Sequence, residues 1–184
     1  MTVTAVSDSR FLLARFQLDY VLRYRNPRNA IDALEKLPKD MPSAYKDTLG
    51  RIERAQNANA LTVLSWLYHA LHPLRPCELV EIISMKPGDR DLNPDYFCNS
   101  PELLAQACQA LVEYDKSSDI VRFTHFTVQE FLEQRQFANL ISRVIIAKVC
   151  LTYLTFDIFE GGIHPDRQSF NERRQKYQFS HYMV

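Results

Sequence analysis

The sequence predicts a mainly α-helical chain: a small helical bundle, a winged helix of three helices and a short β-hairpin, and C-terminal connector helices. Three observations carry this prediction. Only four glycines stand against nine prolines among the 184 residues. Most apolar residues recur at the 3.6-residue spacing of amphipathic helices. Residues 112–124 instead have the pattern of two strands around a polar turn, which indicates a hairpin.

Residues 1–56 are predicted to form the helical segment. In its first helix one face collects five apolar residues: Phe11, Ala14, Leu18, Val21 and Leu22. Asn26-Pro27 ends this helix, and Pro27 suits an early position of a second helix that runs to about Leu37, because proline has no N–H to leave unbonded there. A third helix is expected over residues 42–55, with Tyr45, Leu49 and Ile52 on its apolar stripe.

Residues 57–137 are predicted to form the winged helix, and residues 138–184 the helical connector. The first helix of the winged helix covers about residues 59–71, the second begins at Pro76, and the third has Ser100 as its N-cap with Pro101 at the first helical position. The hairpin follows. In the connector, helices are expected around 140–155 and 168–178, with a break supplied by Gly161, Gly162 and Pro165.

His125 lies at the junction between the hairpin and the next helix. Thr127 and Glu130 have the spacing of a capping box, which would start that helix just after His125. A helix N-terminus favours phosphate or carboxylate, and a histidine beside it can add a hydrogen bond to the anion. A second interpretation stays open: Val121, Phe123 and His125 alternate along one strand face, so His125 can equally be a hydrogen-bonded core histidine.

Several classes of function find no support in the sequence. Lys+Arg and Asp+Glu both number 22, and a balanced charge argues against nucleic-acid binding. Residues 91–115, which contain the expected recognition helix, include no lysine or arginine, although a helix that reads DNA needs polar or basic side chains. No nucleophile elbow, phosphate-binding glycine loop or paired-cysteine metal motif occurs, so we predict neither an enzyme nor a metal site.

Charged residues interrupt every apolar run well short of a membrane span, and no secretory apolar segment follows the N-terminus. We therefore expect a cytoplasmic protein that does not bind membranes. A formal net charge of zero produces little self-repulsion, so a homo-oligomer is compatible with the sequence.

Five stretches occur in a characteristic order: RFLLARFQLD at residues 10–19, ALEKLP at 33–38, VLSWL followed by RPCEL at 63–79, VRFTHFTVQEFL at 121–132 and AKVCLTYL at 147–154. In sequence, order and spacing they resemble the NACHT-containing NLR-like (STAND) proteins of filamentous fungi, many of which carry C-terminal ankyrin repeats. The middle of the chain resembles the winged-helix region named after GPI inositol-deacylase, although lipase motifs are absent here.

The resemblance implies a non-catalytic regulatory and interaction module. Its winged helix would pack on an ADP-loaded NACHT domain, in cis or in trans, and hold the inactive state, with His125 contacting the phosphate of ADP. The chain has no Walker A or Walker B segment, so ADP or ATP would enter only with that domain. We expect the chain to be the middle third of a larger protein or a stand-alone relic of one. The alternative is a stand-alone protein–protein interaction scaffold without a nucleotide role.

Overall fold

The computed structural model describes residues 3–93, 100–135, 142–160 and 167–182. Within these ranges the chain is mainly helical with one two-stranded antiparallel sheet, which confirms the predicted fold class. The strands are β1 (Val112–Asp115) and β2 (Ile120–Phe123). The helices are α1 (Val3–Leu22), α2 (Pro27–Leu34), α3 (Met41–Arg54), α4 (Ala58–His69), α5 (Pro76–Ser84), α6 (Pro101–Ala107), α7 (Phe126–Arg135), α8 (Arg143–Leu154), α9 (Asp157–Glu160) and α10 (Arg167–Lys176).

Polar side chains and prolines fix the starts of several helices. Asn26 accepts a hydrogen bond from the Arg28 N–H at 2.9 Å, with Pro27 at the first position of α2 as predicted. Asp40 caps α3 by accepting from the Ser43 N–H at 2.8 Å. Ser100 caps α6, as the sequence indicated. Helix α2 ends at Leu34, three residues before the predicted end.

The apolar face predicted for the first helix does not point into the core. Phe11, Leu18 and Leu22 are exposed, and Phe11 keeps 75% of its accessible surface. Among the residues of α1 whose burial is described, 10–22, the buried side chain is that of Phe16, whose ring meets the ring of Tyr45 edge-on at 5.4 Å. The face of α1 is thus decided by an aromatic contact with α3, a long-range contact that the spacing of apolar residues does not contain.

The winged helix buries side chains from α4, α5 and α6 against the hairpin. In the hairpin, Val112 pairs with Phe123. The link between α4 and α5 adds a short extended piece, because the Val121 N–H donates to the Leu74 carbonyl at 2.9 Å. Helix α4 ends at His69, so Leu71, which the periodic pattern placed on its apolar stripe, is 93% exposed.

One hydrophobic cluster includes residues from all three predicted segments. It runs from Phe16 through Tyr45, Trp66 and Leu132 to Phe179. The boundaries proposed from the sequence, at about residues 56 and 137, stay predictions. The predicted connector helices correspond to α8 and α10, while the proposed break between them, at residues 161–165, lies outside the described residues.

The C-terminal residues are attached to α5 by a buried carboxylate. Glu81 accepts hydrogen bonds from the Tyr153 hydroxyl and from the backbone N–H groups of Gln178 and Phe179. The Phe179 ring also packs edge-on against Trp66 at 5.4 Å. None of the described helices combines the length and apolar character needed to cross a membrane.

Candidate functional site

The site is built where β2 passes into α7. Thr124, the residue after β2, is held twice to the chain before β1: its N–H donates to the Leu111 carbonyl at 3.1 Å and its hydroxyl to the Ala110 carbonyl at 2.6 Å. His125 follows, half-buried, directly before the first residue of α7. The hairpin therefore fixes the backbone on which the imidazole ring is mounted.

His125 itself occupies the capping position of α7. Its Nδ1 accepts from the Thr127 N–H at 3.3 Å, and its carbonyl oxygen accepts from the Val128 N–H at 3.1 Å. The N-cap thus lies two residues earlier than the capping-box pattern predicted: Thr127 lies inside the first turn, and Glu130 is exposed on the next. The imidazole acceptor reaches the N–H two residues ahead, as capping oxygens do, and this corrects the cap assigned from the sequence.

Thr127 connects His125 to the helical segment. Its hydroxyl oxygen lies 2.8 Å from His125 Nδ1 and 2.6 Å from the Tyr45 hydroxyl, which comes from α3. Tyr45 is 1% exposed and its ring contacts Phe16 and Phe131, each at 5.4 Å. Burial raises the pKa of Tyr45, which keeps its hydroxyl protonated and able to donate.

The partners of Nδ1 determine the tautomer of His125. A neutral imidazole has one N–H donor and one acceptor nitrogen. The Thr127 backbone N–H can only donate, so Nδ1 is the acceptor and the proton of the neutral ring lies on Nε2. Among the described residues, Nε2 has no hydrogen-bond partner, and the ring lies against the exposed Phe126 at 4.3 Å between centroids. The ring therefore has one donor, Nε2–H, that no described residue engages.

The geometry changes how an anion could be held here. The sequence suggested that free N–H groups at the start of α7 would attract a phosphate. The Thr127 and Val128 N–H groups are already bonded to His125. Nε2 of His125 is bonded to no described residue, so the histidine side chain is a candidate contact for an anion.

His125 is only partly a core histidine. Val121, two strand positions earlier on the same face, is 1% exposed, whereas Phe123 and His125 are half-buried. Nδ1 is bonded to Thr127, whereas no described residue bonds to Nε2. His125 thus lies at the edge of the core, with a structural contact on one side and an available donor on the other.

Two open grooves flank α7. One, of about 490 Å³, lies between the wing, the end of α4 and α7, and its lining includes Phe123, Phe126 and Gln129. The other, of about 540 Å³, lies between α3 and α7, where Lys46, Arg54 and Phe131 contribute. His125, directly before α7, is not among the residues that line either groove.

Other candidate residues have local roles. His72 is bonded through Nε2 to the Tyr182 carbonyl at 3.1 Å and packs on the Tyr182 ring. Cys108 is fully buried, while Cys150 is half-buried. No cluster of three or more histidine, cysteine or carboxylate side chains that could hold a metal ion occurs in the part of the chain that the structure describes.

The sequence analysis missed Tyr45 as a member of the site, because it counted that residue with the apolar stripe of α3. A signal was present. A tyrosine at a core position brings a hydroxyl that needs a partner when buried, which a phenylalanine does not. The identity of that partner, 82 residues away at Thr127, required the fold.

Comparison with known proteins supplies a family. The chain is 29% identical over 158 residues to the azaphilone pigments biosynthesis cluster protein L of Monascus ruber. The match covers 74% of this chain and 33% of that protein, so the chain spans about a third of the length of this relative. No solved structure matches significantly. The family model described as GPI inositol-deacylase, winged helix domain, matches residues 49–144, just over half of the chain and including α4 to α7 and the hairpin. The chain therefore belongs to the family of GPI inositol-deacylase-type winged helix domains.

Proposed function

We propose that the chain is a non-catalytic regulatory and interaction module of a cytoplasmic NLR-like signalling protein. In this proposal the winged helix packs on an ADP-loaded NACHT domain, supplied in cis or in trans, and holds it inactive. The observation that carries the proposal is the state of His125: Nδ1 is occupied as an acceptor, and Nε2–H is a donor without a partner among the described residues. Such a donor suits a phosphate oxygen.

The mechanism follows from differential binding. A ligand shifts a two-state equilibrium only by its difference in affinity for the two states. If Nε2–H of His125 donates to the phosphate of ADP only in the closed arrangement, bound ADP favours that arrangement. A hydrogen bond to a charged group contributes about 1.5–3 kcal/mol, which corresponds to roughly 10- to 150-fold in affinity. Opening would then expose the surfaces that α7 and the wing cover.

Calorimetry of ADP binding tests the proposal with two matched variants. The chain is joined to an upstream NACHT domain, and His125→Ala is compared with His125→Asn. Asparagine is among the best N-cap residues, so it preserves the start of α7 but does not reach as far as the imidazole Nε2. We expect both variants to weaken ADP binding at least tenfold, and the isolated chain to bind no ADP. Wild-type affinity in His125→Asn would refute the phosphate contact.

A second candidate function is a protein–protein interaction scaffold without a nucleotide role. The observation in its favour is the amount of exposed apolar side chain on two helices. On α1 these are Phe11, Leu18 and Leu22, and on α8 they include Val144 and Leu151, each more than half exposed. Helices that are apolar on several sides are usually covered by a neighbour.

The two candidates differ in what assembly responds to. We measure the oligomeric state of the full-length protein by light scattering, with and without ADP. The switch proposal expects His125→Ala to raise basal oligomerisation in the presence of ADP. Assembly that depends on a partner protein and ignores both ADP and His125 would favour the scaffold.

A further inference from the structure

We propose that Tyr45 and Thr127 are positioning residues for His125 and that they link its state to the placement of α3. The functional part of this inference rests on the role proposed for His125 above. The observation is a continuous set of short contacts: the Tyr45 hydroxyl to Thr127 Oγ1 at 2.6 Å, and Thr127 Oγ1 to His125 Nδ1 at 2.8 Å.

The groups around His125 Nδ1 and Thr127 Oγ1 determine which atom donates in each of the two hydrogen bonds. Nδ1 faces the Thr127 backbone N–H, so it accepts and the Thr127 hydroxyl donates to it. A hydroxyl has one proton, and having used it, Thr127 Oγ1 can only accept from the Tyr45 hydroxyl. The order is therefore Tyr45 to Thr127 to His125, with every proton assigned. Each donor polarises the next, which strengthens the pair beyond two isolated bonds.

This arrangement holds both the tautomer and the orientation of the ring. A proton on Nδ1 would point at the Thr127 N–H, two donors facing each other. The ring is also restrained on its face by Phe126 at 4.3 Å. With Nδ1 engaged and the face covered, the Nε2–H donor has a single direction. Thr127 and Tyr45 touch no ligand in this scheme and act only through His125.

Tyr45 makes the link sensitive to the helical segment. Its ring is held between Phe16 on α1 and Phe131 on α7, so its hydroxyl follows the position of α3 against α7. A hydrogen bond of 2.6 Å between oxygens does not survive a displacement of about 1 Å. A shift of α3 would remove the donor to Thr127 Oγ1, and with it the polarisation that strengthens the hydrogen bond from the Thr127 hydroxyl to Nδ1. The site would then be regulated from a helix outside the winged helix.

The first arm of the test reads the tautomer directly, on this chain without nucleotide. The ¹⁵N resonances of the His125 ring distinguish a protonated nitrogen from an acceptor nitrogen. We expect Nε2–H in the wild type and in Thr127→Ser, which keeps the hydroxyl. Thr127→Val, which has nearly the same shape, should raise the Nδ1–H fraction by a factor of about three to ten, as expected for the loss of one neutral hydrogen bond to Nδ1. Tyr45→Phe keeps the Thr127 hydroxyl and should raise that fraction by a smaller factor, because only the polarisation of this hydroxyl is lost.

The matched control is Tyr114→Phe, which deletes a hydroxyl bonded to Asp119 in the hairpin. It leaves the relay, the hydrogen bonds from Tyr45 to Thr127 and from Thr127 to His125, unchanged. The inference would be overturned if the His125 ring of the wild type carried its proton on Nδ1, or if Thr127→Val left the tautomer ratio of this ring unchanged. It would also be overturned if Tyr114→Phe changed that ratio as much as Thr127→Val does.

The second arm measures ADP affinity of the chain joined to a NACHT domain. Tyr45→Phe and Thr127→Val should lower it, and Thr127→Ser should restore it. If the tautomer responds as expected but His125→Asn has wild-type affinity, the relay stands and the proposed function fails. If His125→Asn loses affinity but Tyr45→Phe and Thr127→Val change neither readout, the phosphate contact stands and the relay fails.

Discussion

Replacing Glu81 by glutamine should loosen the attachment of the C-terminal residues to α5. Glu81 is 4% exposed. Its Oε2 accepts from the Tyr153 hydroxyl at 3.0 Å and the Phe179 N–H at 2.8 Å, and its Oε1 accepts from the Gln178 N–H at 2.6 Å. Glutamine has the same shape but a single oxygen. With that oxygen in place of Oε2, its NH₂ group faces the Gln178 N–H, donor against donor.

The magnitude follows from one unsatisfied buried donor. Such a group costs about 1–3 kcal/mol. Removing a buried carboxylate offsets part of this, because burial raises the pKa of Glu81 despite the three hydrogen bonds that lower it. We expect Glu81→Gln to reduce the free energy of unfolding by about 1–2 kcal/mol, and Glu81→Ala, which orphans all three donors, by about 3 kcal/mol or more.

Glu78, on the same helix, provides a matched control. It is 3% exposed, but among the described residues its carboxylate accepts a single backbone hydrogen bond, from the Arg75 N–H at 2.7 Å. Glutamine can supply that one oxygen. We expect Glu78→Gln to cost less than about 0.5 kcal/mol, because the bond to the N-cap N–H is retained.

Urea unfolding followed by tryptophan fluorescence is a suitable assay. The chain has a single tryptophan, Trp66, which is buried against the Phe179 ring that Glu81 helps to hold. Hydrogen exchange at the Gln178 and Phe179 amides should accelerate in Glu81→Gln and stay unchanged in Glu78→Gln. Equal losses of stability in the two glutamine variants, or unaltered exchange at these amides, would refute the reasoning.

The pH dependence of this difference has a definite sign. Because the pKa of Glu81 is raised in the folded chain, its contribution to stability is fully present below its ordinary pKa of 4.5 and is lost as pH rises through the raised value. The stability difference between wild type and Glu81→Gln should therefore be larger near pH 4 than near pH 7. A difference that grows with pH would contradict this assignment.

Three further outcomes are expected. Burial raises the pKa of Cys108 to about 12, so iodoacetamide should modify the half-buried Cys77 in the native chain and reach Cys108 only on unfolding; similar rates would contradict this. Phe179→Ala should lower the free energy of unfolding by about 3–5 kcal/mol, and a loss below about 1 kcal/mol would show that its contacts with Trp66 matter little. Titration with duplex DNA should show no binding, since the chain has no excess of basic residues. Binding that weakens steeply as salt is added would contradict this.

The local parts of the fold could be predicted from the sequence because their signals are local. Caps and prolines placed the starts of α2 and α6, and alternation around a polar turn placed the hairpin. The faces of α1 and α4 were less predictable. An amphipathic stripe says that one side is apolar, but the packing partner decides which side is buried, as Phe16 shows on α1 and the exposed Leu71 after α4.

The site was only partly accessible for the same reason. His125 could be singled out because it stands between a strand and a helix start. Its capping role escaped prediction, since Thr127 and Glu130 match a capping box whose N-cap lies two residues later. The hydroxyl pair of Tyr45 and Thr127 joins positions 82 residues apart, and no pattern in one sequence encodes that distance. The buried acceptor Glu81 was overlooked among the charged residues of an amphipathic helix.

The account depends most on the claim that Nε2–H of His125 donates to a phosphate. The most direct measurement is the His125 Nε2 proton and nitrogen resonances in the chain joined to a NACHT domain, with ADP and with adenosine, which lacks the phosphates. The account predicts a large downfield shift of the Nε2 proton with ADP and none with adenosine. Equal responses to both ligands, or no response to bound ADP, would contradict it.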